Sequence, residues 1–380
     1  MIAAAALRPY SLLLRPSPEE RGVPYAVYPG LGRPRWLVPA APSRGRRDPG
    51  FASGGGLRER ARDALVASGM LRGDRIWLDT APLAEALAGA LGEPVGSLAF
   101  YVGTEGAYQK LTVRVGTRDG RISAYAKIAG ERLARESLER ERVTLARLAR
   151  VGELRDKVPE ILGWVSWGEL RGLIVSSGPT RRGPRRLTAQ HVEFLRCLWG
   201  ATRVEIAFRE SSMWARMTAM IDGLLPHMPA PWPDRYSRAL DRLDCQIGRT
   251  TLPLGLAHRD FAPWNTTCDA RGLFVFDWEA AQDEVTPLYD IFHFDAIQAA
   301  QRRKRGVVPS RAGAAGGLVG DVIGFAPDVA LAALYGAYLI DMSLFYTEAR
   351  VLAPDAGEDG VWQWLGFELD AWTEGRHDVA

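Results

Sequence analysis

Cysteine is scarce in this chain. Among 380 residues only Cys197, Cys245 and Cys268 occur, an odd set without the paired spacing of a zinc site. Neither a disulfide framework nor a cysteine-ligated metal cluster is therefore expected. Long apolar runs are lacking too. No stretch approaches the ~20 residues that cross a bilayer, and the apolar start Met1 to Leu7 is broken by Arg8 too soon for a signal peptide. The expectation is a cytoplasmic protein without integral membrane association. Excess charge is small as well, at +3 from 48 Lys and Arg against 45 Asp and Glu. Basic residues do cluster locally, at Arg44, Arg46 and Arg47 and in QRRKR from Gln301 to Arg305. The run from Gln301 to Arg305 reads as an exposed solvated loop, with a site for an anionic substrate or membrane headgroups as the alternative. Without a basic fold motif or interleaved aromatics, nucleic acid is not an expected partner. No internal repeat is evident.

What the chain does have is HRDFAPWN, His258 to Asn265, followed twelve residues later by Asp277 in DWE. An Asp, an Asn five residues on and a later Asp form the spacing of phosphoryl transfer: one carboxylate accepts a hydroxyl proton, and the other two groups hold Mg²⁺ beside ATP. The local sequence suits that arrangement. Leu252 to Ala257 is an apolar run leading into the loop, and Pro263 keeps the loop from becoming regular helix. Trp264 to Thr267 and Leu273 to Asp277 read as strands around a turn-rich connection, Cys268 to Gly272. Such a hairpin would return Asp277 beside Asn265 and gather oxygen ligands for a hard cation.

These segments, with VFDWEAA (Val275 to Ala281) and PLYDIFHF (Pro287 to Phe294), resemble the aminoglycoside phosphotransferase and choline kinase-like superfamily of small-molecule kinases. The resemblance spans roughly residues 95 to 350. It implies that Asp260 is the catalytic base, that Asn265 and Asp277 are Mg²⁺ ligands, that His258 organises the loop, and that Asp290 supports the site. The family pattern usually has Gly between the His and the Asp; Arg259 departs from it.

A kinase needs a phosphate-anchoring lysine with a carboxylate partner. Residues Arg121 to Ala129 alternate like a half-buried strand carrying Lys127. In the helix expected from about Glu131 to Arg150, Leu138, Glu141, Leu145 and Leu148 share one face. A carboxylate inside an apolar stripe requires a cation, and Lys127 is the candidate; the alternative places both groups at solvent-exposed edges. Upstream, Gly103 and Gly106 lie in a strand–turn–strand segment whose backbone N–H groups could approach phosphate. Gln109 and Lys110 read as a solvated strand edge, with reach to substrate or phosphate as the alternative. The strand from Arg171 ends at Gly178-Pro179, where main-chain groups from Val175 to Ser177 would pair the adenine.

The expected fold class is α+β, a two-lobed protein kinase-like fold. It comprises an N-terminal extension (1–91, with a linker at 41–56), a small antiparallel β lobe with one helix (92–178) and a mainly helical large lobe (179–380). The extension holds short apolar runs, Tyr25 to Tyr28 and Trp36 to Val38, and helices over Leu57 to Ser68 and Pro82 to Leu91. Either it adds strands to the small lobe or it reads substrate separately. Further helices are expected over Thr188 to Trp199, Arg235 to Gly248 and Val329 to Leu352. Only twelve residues separate Asp277 from Asp290, too few for the activation segment of a protein kinase. The expected reaction is transfer of the ATP (or GTP) γ-phosphoryl group to a hydroxyl of a sugar, aminocyclitol or amino alcohol. Acidic residues beside Trp362, Trp364, Phe367 and Trp372 suit such acceptors, although most of these aromatics are expected in the core. Two rivals stand: a nucleotide-binding pseudokinase scaffold and an AMP transferase on the same fold.

Overall fold

The computed structural model describes residues 10–19, 21–31, 34–40, 74–103, 106–302, 315–325, 329–352 and 360–377. The linker at 41–56, with Arg44, Arg46 and Arg47, and the helix expected over Leu57 to Ser68 lie outside them. So do Arg303 to Arg305 and the acidic Asp355, Glu358, Asp359 and Asp378. The chain separates into two compact units, Met1–Ala149 with Val158–Gly178, and Arg150–Lys157 with Pro179–Ala380.

The first unit is built on one antiparallel sheet. Its strands are β1 (Arg15–Pro16), β2 (Val23–Tyr28), β3 (Trp36–Pro39), β4 (Asp74–Asp79), β5 (Ser97–Val102), β6 (Lys110–Gly116), β7 (Ile122–Ala129), β8 (Ile161–Trp167) and β9 (Leu170–Ser176), in the order β1-β4-β2-β3-β5-β6-β7-β9-β8. The early apolar runs thus join the same sheet as the later strands: Trp36 sits opposite Tyr101 and Leu37 opposite Phe100. Period-two patterning explains the core. Ala124, Ala126 and Ile128 of β7 are fully buried on one face and pack with Leu111, Val113 and Phe100, and with Tyr25, Val27 and Leu37 of the early strands. Helix α1 (Ala81–Leu91) adds Leu83 and Leu87 to that cluster and ends at Gly92, whose φ of 69° closes the helix in left-handed geometry. Helix α2 (Arg132–Leu148) buries Ala134, Ser137, Leu138, Glu141, Thr144, Leu145 and Leu148, a stripe at helical spacing.

The second unit is mainly helical. In chain order it contains α3 (Ala189–Thr202), β10 (Val204–Ala207), α4 (Ser212–Leu224), α5 (Trp232–Ile247), β11 (Thr251–Ala257), β12 (Thr266–Asp269), β13 (Gly272–Val275), β14 (Gln282–Val285), α6 (Tyr289–Gln301), α7 (Gly316–Phe325), α8 (Leu331–Leu352) and α9 (Gly360–Thr373). Helix α8 is buried without interruption from Ala332 to Leu344, so it runs through the centre of the unit, where an apolar helix loses least. Strands β10, β11 and β14 form a small sheet, and β12 pairs β13 in the expected hairpin. Among the described residues no helix is long and apolar enough to cross a membrane.

Candidate active site

In the first unit the expected lysine–carboxylate pair starts on β7. Its alternation turns Ala126 and Ile128 into the core and leaves Lys127 on the other side of the strand. There Lys127 Nζ lies 2.7 Å from both carboxylate oxygens of Glu141 on α2. The Glu141 side chain is 1% exposed and that of Lys127 11%. A buried carboxylate demands this partner, because either charge alone would cost several kcal/mol. Lys110, at the start of β6, is not the solvated edge lysine that its position suggested. It is buried, and its Nζ donates to Ser137 Oγ on α2 at 2.9 Å.

Gly103 and Gly106 both lie between β5 and β6, and Gly106 opens the turn that the Gln109 N–H closes on its carbonyl at 3.0 Å. The Gly103 N–H donates to the Lys110 carbonyl at 2.8 Å, and a Cβ at Gly103 would sit 2.9 Å from that same oxygen, so only glycine permits this approach. Gly106 has φ 142°, outside the range of ordinary side chains. At the end of β9, Val175 sits opposite both Tyr125 and Ile161, so its backbone groups belong to the sheet. The Ser176 N–H donates to the Glu160 carbonyl. Ser177 lies one residue past the strand and donates its hydroxyl to the Ile122 carbonyl at 3.1 Å. Of the three residues expected to pair an adenine, Ser177 is the one that the ladder leaves at its end.

In the second unit β11 delivers the buried His258 and Arg259 to a loop that α6 supports from below. Asp290, in the first turn of α6, accepts the His258 N–H at 2.8 Å and the Arg259 N–H at 2.9 Å, one on each oxygen. Burial raises the Asp290 carboxyl above the ordinary carboxylate range, while His258 and these two donors pull it back. His258 accepts the Asp260 N–H on Nδ1 at 3.2 Å and lies 3.0 Å from the Phe276 carbonyl through Nε2. That pair of contacts assigns the Nε2–H tautomer and the loop-organising part.

Asp260 is held at both carboxylate oxygens. Asn265 Nδ2 donates to Oδ2 at 2.7 Å and to the Asp260 carbonyl at 2.9 Å. His293 Nε2 lies 3.2 Å from Oδ1, and its Nδ1 is 3.4 Å from the Tyr338 hydroxyl. The Asp260 side chain nevertheless remains 41% exposed, against 3% for His293. Because the Asn265 amide nitrogen is engaged, its Oδ1 is the atom left to face a cation. The hairpin brings Asp277 back to this point, since the Phe276 N–H donates to the Asn265 carbonyl at 3.1 Å. An amide oxygen and a carboxylate suit Mg²⁺, which prefers oxygen ligands. Arg259 (φ 65°) and Asp277 (φ 74°) are both left-handed without being glycine, a backbone cost that gathers at functional sites.

Two contributors escaped the sequence reading. His293 lies three residues after Asp290, so helical spacing alone puts both on the face of α6 toward the loop. Asp341 is the one acidic residue between Leu331 and Thr347 of α8 and carries the same signal as Glu141, a lone carboxylate in an apolar helix. The aromatic platform expected near the C terminus is largely consumed by packing. Trp372 is fully buried, Trp364 is 8% exposed, and Trp362 stacks on Trp232 at 4.7 Å; only Phe367 projects outward, at 68%.

Neither a family model nor a curated protein sequence matches the chain. Solved structures do. A thermostable mutant of aminoglycoside phosphotransferase APH(4)-Ia in its apo form is 15% identical, with a TM-score of 0.53, covering 77% of this chain and 99% of that one. Aminoglycoside phosphotransferase APH(4)-Ia itself gives 16% identity and a TM-score of 0.51, covering 77% and 97%. A ternary complex of the mutant with ADP and hygromycin B gives 15% and 0.50, covering 78% and 99%. At such identities the likeness establishes the fold: an antiparallel-sheet lobe and a helical lobe of the aminoglycoside phosphotransferase, protein kinase-like kind.

Proposed function

We propose that this chain is a small-molecule kinase that moves the γ-phosphoryl group of ATP or GTP to a hydroxyl of its acceptor. The observation that carries the reading is the Asp260 carboxylate, fixed at both oxygens by Asn265 and His293 yet open to solvent. A general base needs this combination of a set direction and access to the proton that it removes. Asp260 orients the acceptor hydroxyl and takes its proton. Asn265 and Asp277 would hold Mg²⁺, which when bound neutralises charge on the phosphate oxygens. Lys127, fixed by Glu141, steadies the phosphates, with the backbone near Gly103 and Gly106 beside them and Ser177 pairing the base. The shared fold supports the same reading, because one similar structure was solved with ADP and hygromycin B. The acceptor class is a sugar, aminocyclitol or amino alcohol, and its identity within that class is open to assay.

The test is Mg²⁺-dependent ATP consumption across sugars, aminoglycosides and amino alcohols, with Asp260→Asn as the blank. Acceptor-dependent turnover that falls about 1,000-fold or more in Asp260→Asn, with nucleotide binding retained, is expected. Wild-type turnover in Asp260→Asn would refute the assignment. A product heavier by AMP rather than by phosphate would replace it with nucleotidyl transfer.

A further inference from the structure

Arg259 directly precedes Asp260 and adopts a conformation that suits glycine far better than arginine, with φ 65°. Something must hold it there. Its backbone N–H is gripped by Asp290 on α6. Its side chain turns inward, 7% exposed, and meets Asp341 of α8, which is 1% exposed. Nε and one terminal nitrogen of the guanidinium donate to the same Asp341 oxygen, at 2.9 and 2.7 Å. The Tyr289 hydroxyl donates to that oxygen at 2.6 Å, and Arg216 of α4 reaches the other at 3.2 Å. Burial alone would raise the Asp341 carboxyl, but Arg259, Arg216 and the Tyr289 hydroxyl together hold it below the ordinary carboxylate range. The carboxylate is therefore charged, and every atom of it is committed to neighbours.

Two features separate this arrangement from ordinary packing. A buried ion pair is seldom a net gain in stability over an apolar one, so it marks a place where geometry matters. And the pair ends on the residue that directly precedes Asp260 in the chain, so a rotation about the Arg259 backbone would swing the next carboxylate away from His293 and Asn265. Asp341 itself, buried to this degree, cannot touch nucleotide or acceptor.

We propose that Asp341 is a positioning residue for phosphoryl transfer: through the Arg259 guanidinium it locks the left-handed turn that presents Asp260. The catalytic half of this proposal rests on the kinase reading, whereas the conformational half does not. Glycine at residue 259 takes the same φ without strain and brings no cation into the core. The lock is thus needed only because residue 259 is an arginine, and removing both partners should restore what removing the carboxylate alone destroys.

The experiment is a double-mutant cycle on the full chain, with Asp341→Asn, Arg259→Gly and the double variant. It measures kcat, the KM for ATP, Tm, and amide hydrogen exchange of the segment from Leu256 to Ala262. Turnover uses the acceptor that the panel supplies, or Mg-ATP hydrolysis without acceptor. Asp341→Asn should lower kcat about 100-fold while KM for ATP stays within about twofold, with faster exchange at His258 to Asp260. The double variant should regain at least about a tenth of wild-type kcat, and slow exchange with it. Asp341→Glu, which keeps the charge, should fall between wild type and Asp341→Asn, and it serves alone if the asparagine variant does not fold. A lower Tm with unchanged kcat would reduce Asp341 to a structural role and overturn the proposal. So would a double variant no better than Asp341→Asn. A wild type without any turnover would sink the kinase reading, and the exchange cycle would still decide whether Asp341 sets the loop.

Discussion

Burial of the His191 imidazole should make this protein sensitive to mild acid. His191 occupies the third position of α3, where its Nδ1 accepts the Thr188 N–H at 3.2 Å and completes a capping box. Its ring is fully buried, 5.0 Å from Phe294 and 5.9 Å from Phe261, and among the described residues its Nε2 finds no hydrogen-bond partner. Burial pushes its pKa down to about 4. In the unfolded chain the same group takes its proton near 6.5. Between those values the unfolded state binds more protons, so stability is present above about pH 6.5 and is lost as pH falls towards 4. The loss is on the order of 3 kcal/mol at most. Glutamine at residue 191 can accept the same N–H and does not titrate. The urea midpoint of the wild type should therefore drop between pH 7.5 and 5.0, and that of His191→Gln should drop less. Equal drops would dismiss His191 as the cause. Unlike Asp260 or Asn265, this residue belongs to no motif, and nothing in the sequence marks it as buried.

Helices with a one-sided stripe were legible, and α8 was legible from its length although it is buried all round, but the shorter α6 was not singled out. The stripe through Leu138, Glu141 and Leu145 is enough to locate α2 and to point to the Lys127 pair. By contrast α6 buries ten of its thirteen residues, so no period stands out against its background. The strands β2 and β3 read only as apolar runs because their partners are remote: Leu37 meets Phe100, and pairing at that distance leaves no local mark. Close helix packing was equally hidden. Gly336 of α8 lies against Trp372 of α9, and a Cβ at Gly336 would stand 2.2 Å from the indole ring. That indole is itself immobilised, since Nε1 donates to the Ala332 carbonyl at 2.7 Å. Gly336→Ala should thus destabilise by about 1–3 kcal/mol through overpacking. Gly89 of α1 has open space at the same point, so Gly89→Ala should stabilise by about 0.4–1 kcal/mol. Denaturant melts of the two variants give the comparison, and a shift of equal sign in both would contradict the packing account.

Across the whole chain, the residues proposed for chemistry run from Gly103 to Asp277, while the first ninety residues match no motif. The described residues among them nonetheless pack into the first unit. Tyr10, Leu13, Leu14, Tyr25, Val27, Leu37 and Leu78 share one apolar cluster with Phe100, Val113 and Ile128. Each of these ten side chains is 2% exposed or less. Such burial contributes about 1.5–3 kcal/mol for each large side chain, a sum that few domains can forgo against a net stability of about 5–15 kcal/mol. The extension also covers an edge, because β3 occupies the side of β5 that would otherwise present free N–H and C=O groups. A chain trimmed to residues 92–380 would expose both the apolar cluster and that strand edge, the combination that drives edge-to-edge association. It should be recovered as aggregate, or melt without a cooperative transition, whereas the full chain melts cooperatively. A trimmed chain that stays monomeric, with a Tm within about 1 °C of the full chain, a shift worth less than about 1 kcal/mol, would show that the early strands are dispensable to the fold and return them to the alternative of a separate substrate-reading element.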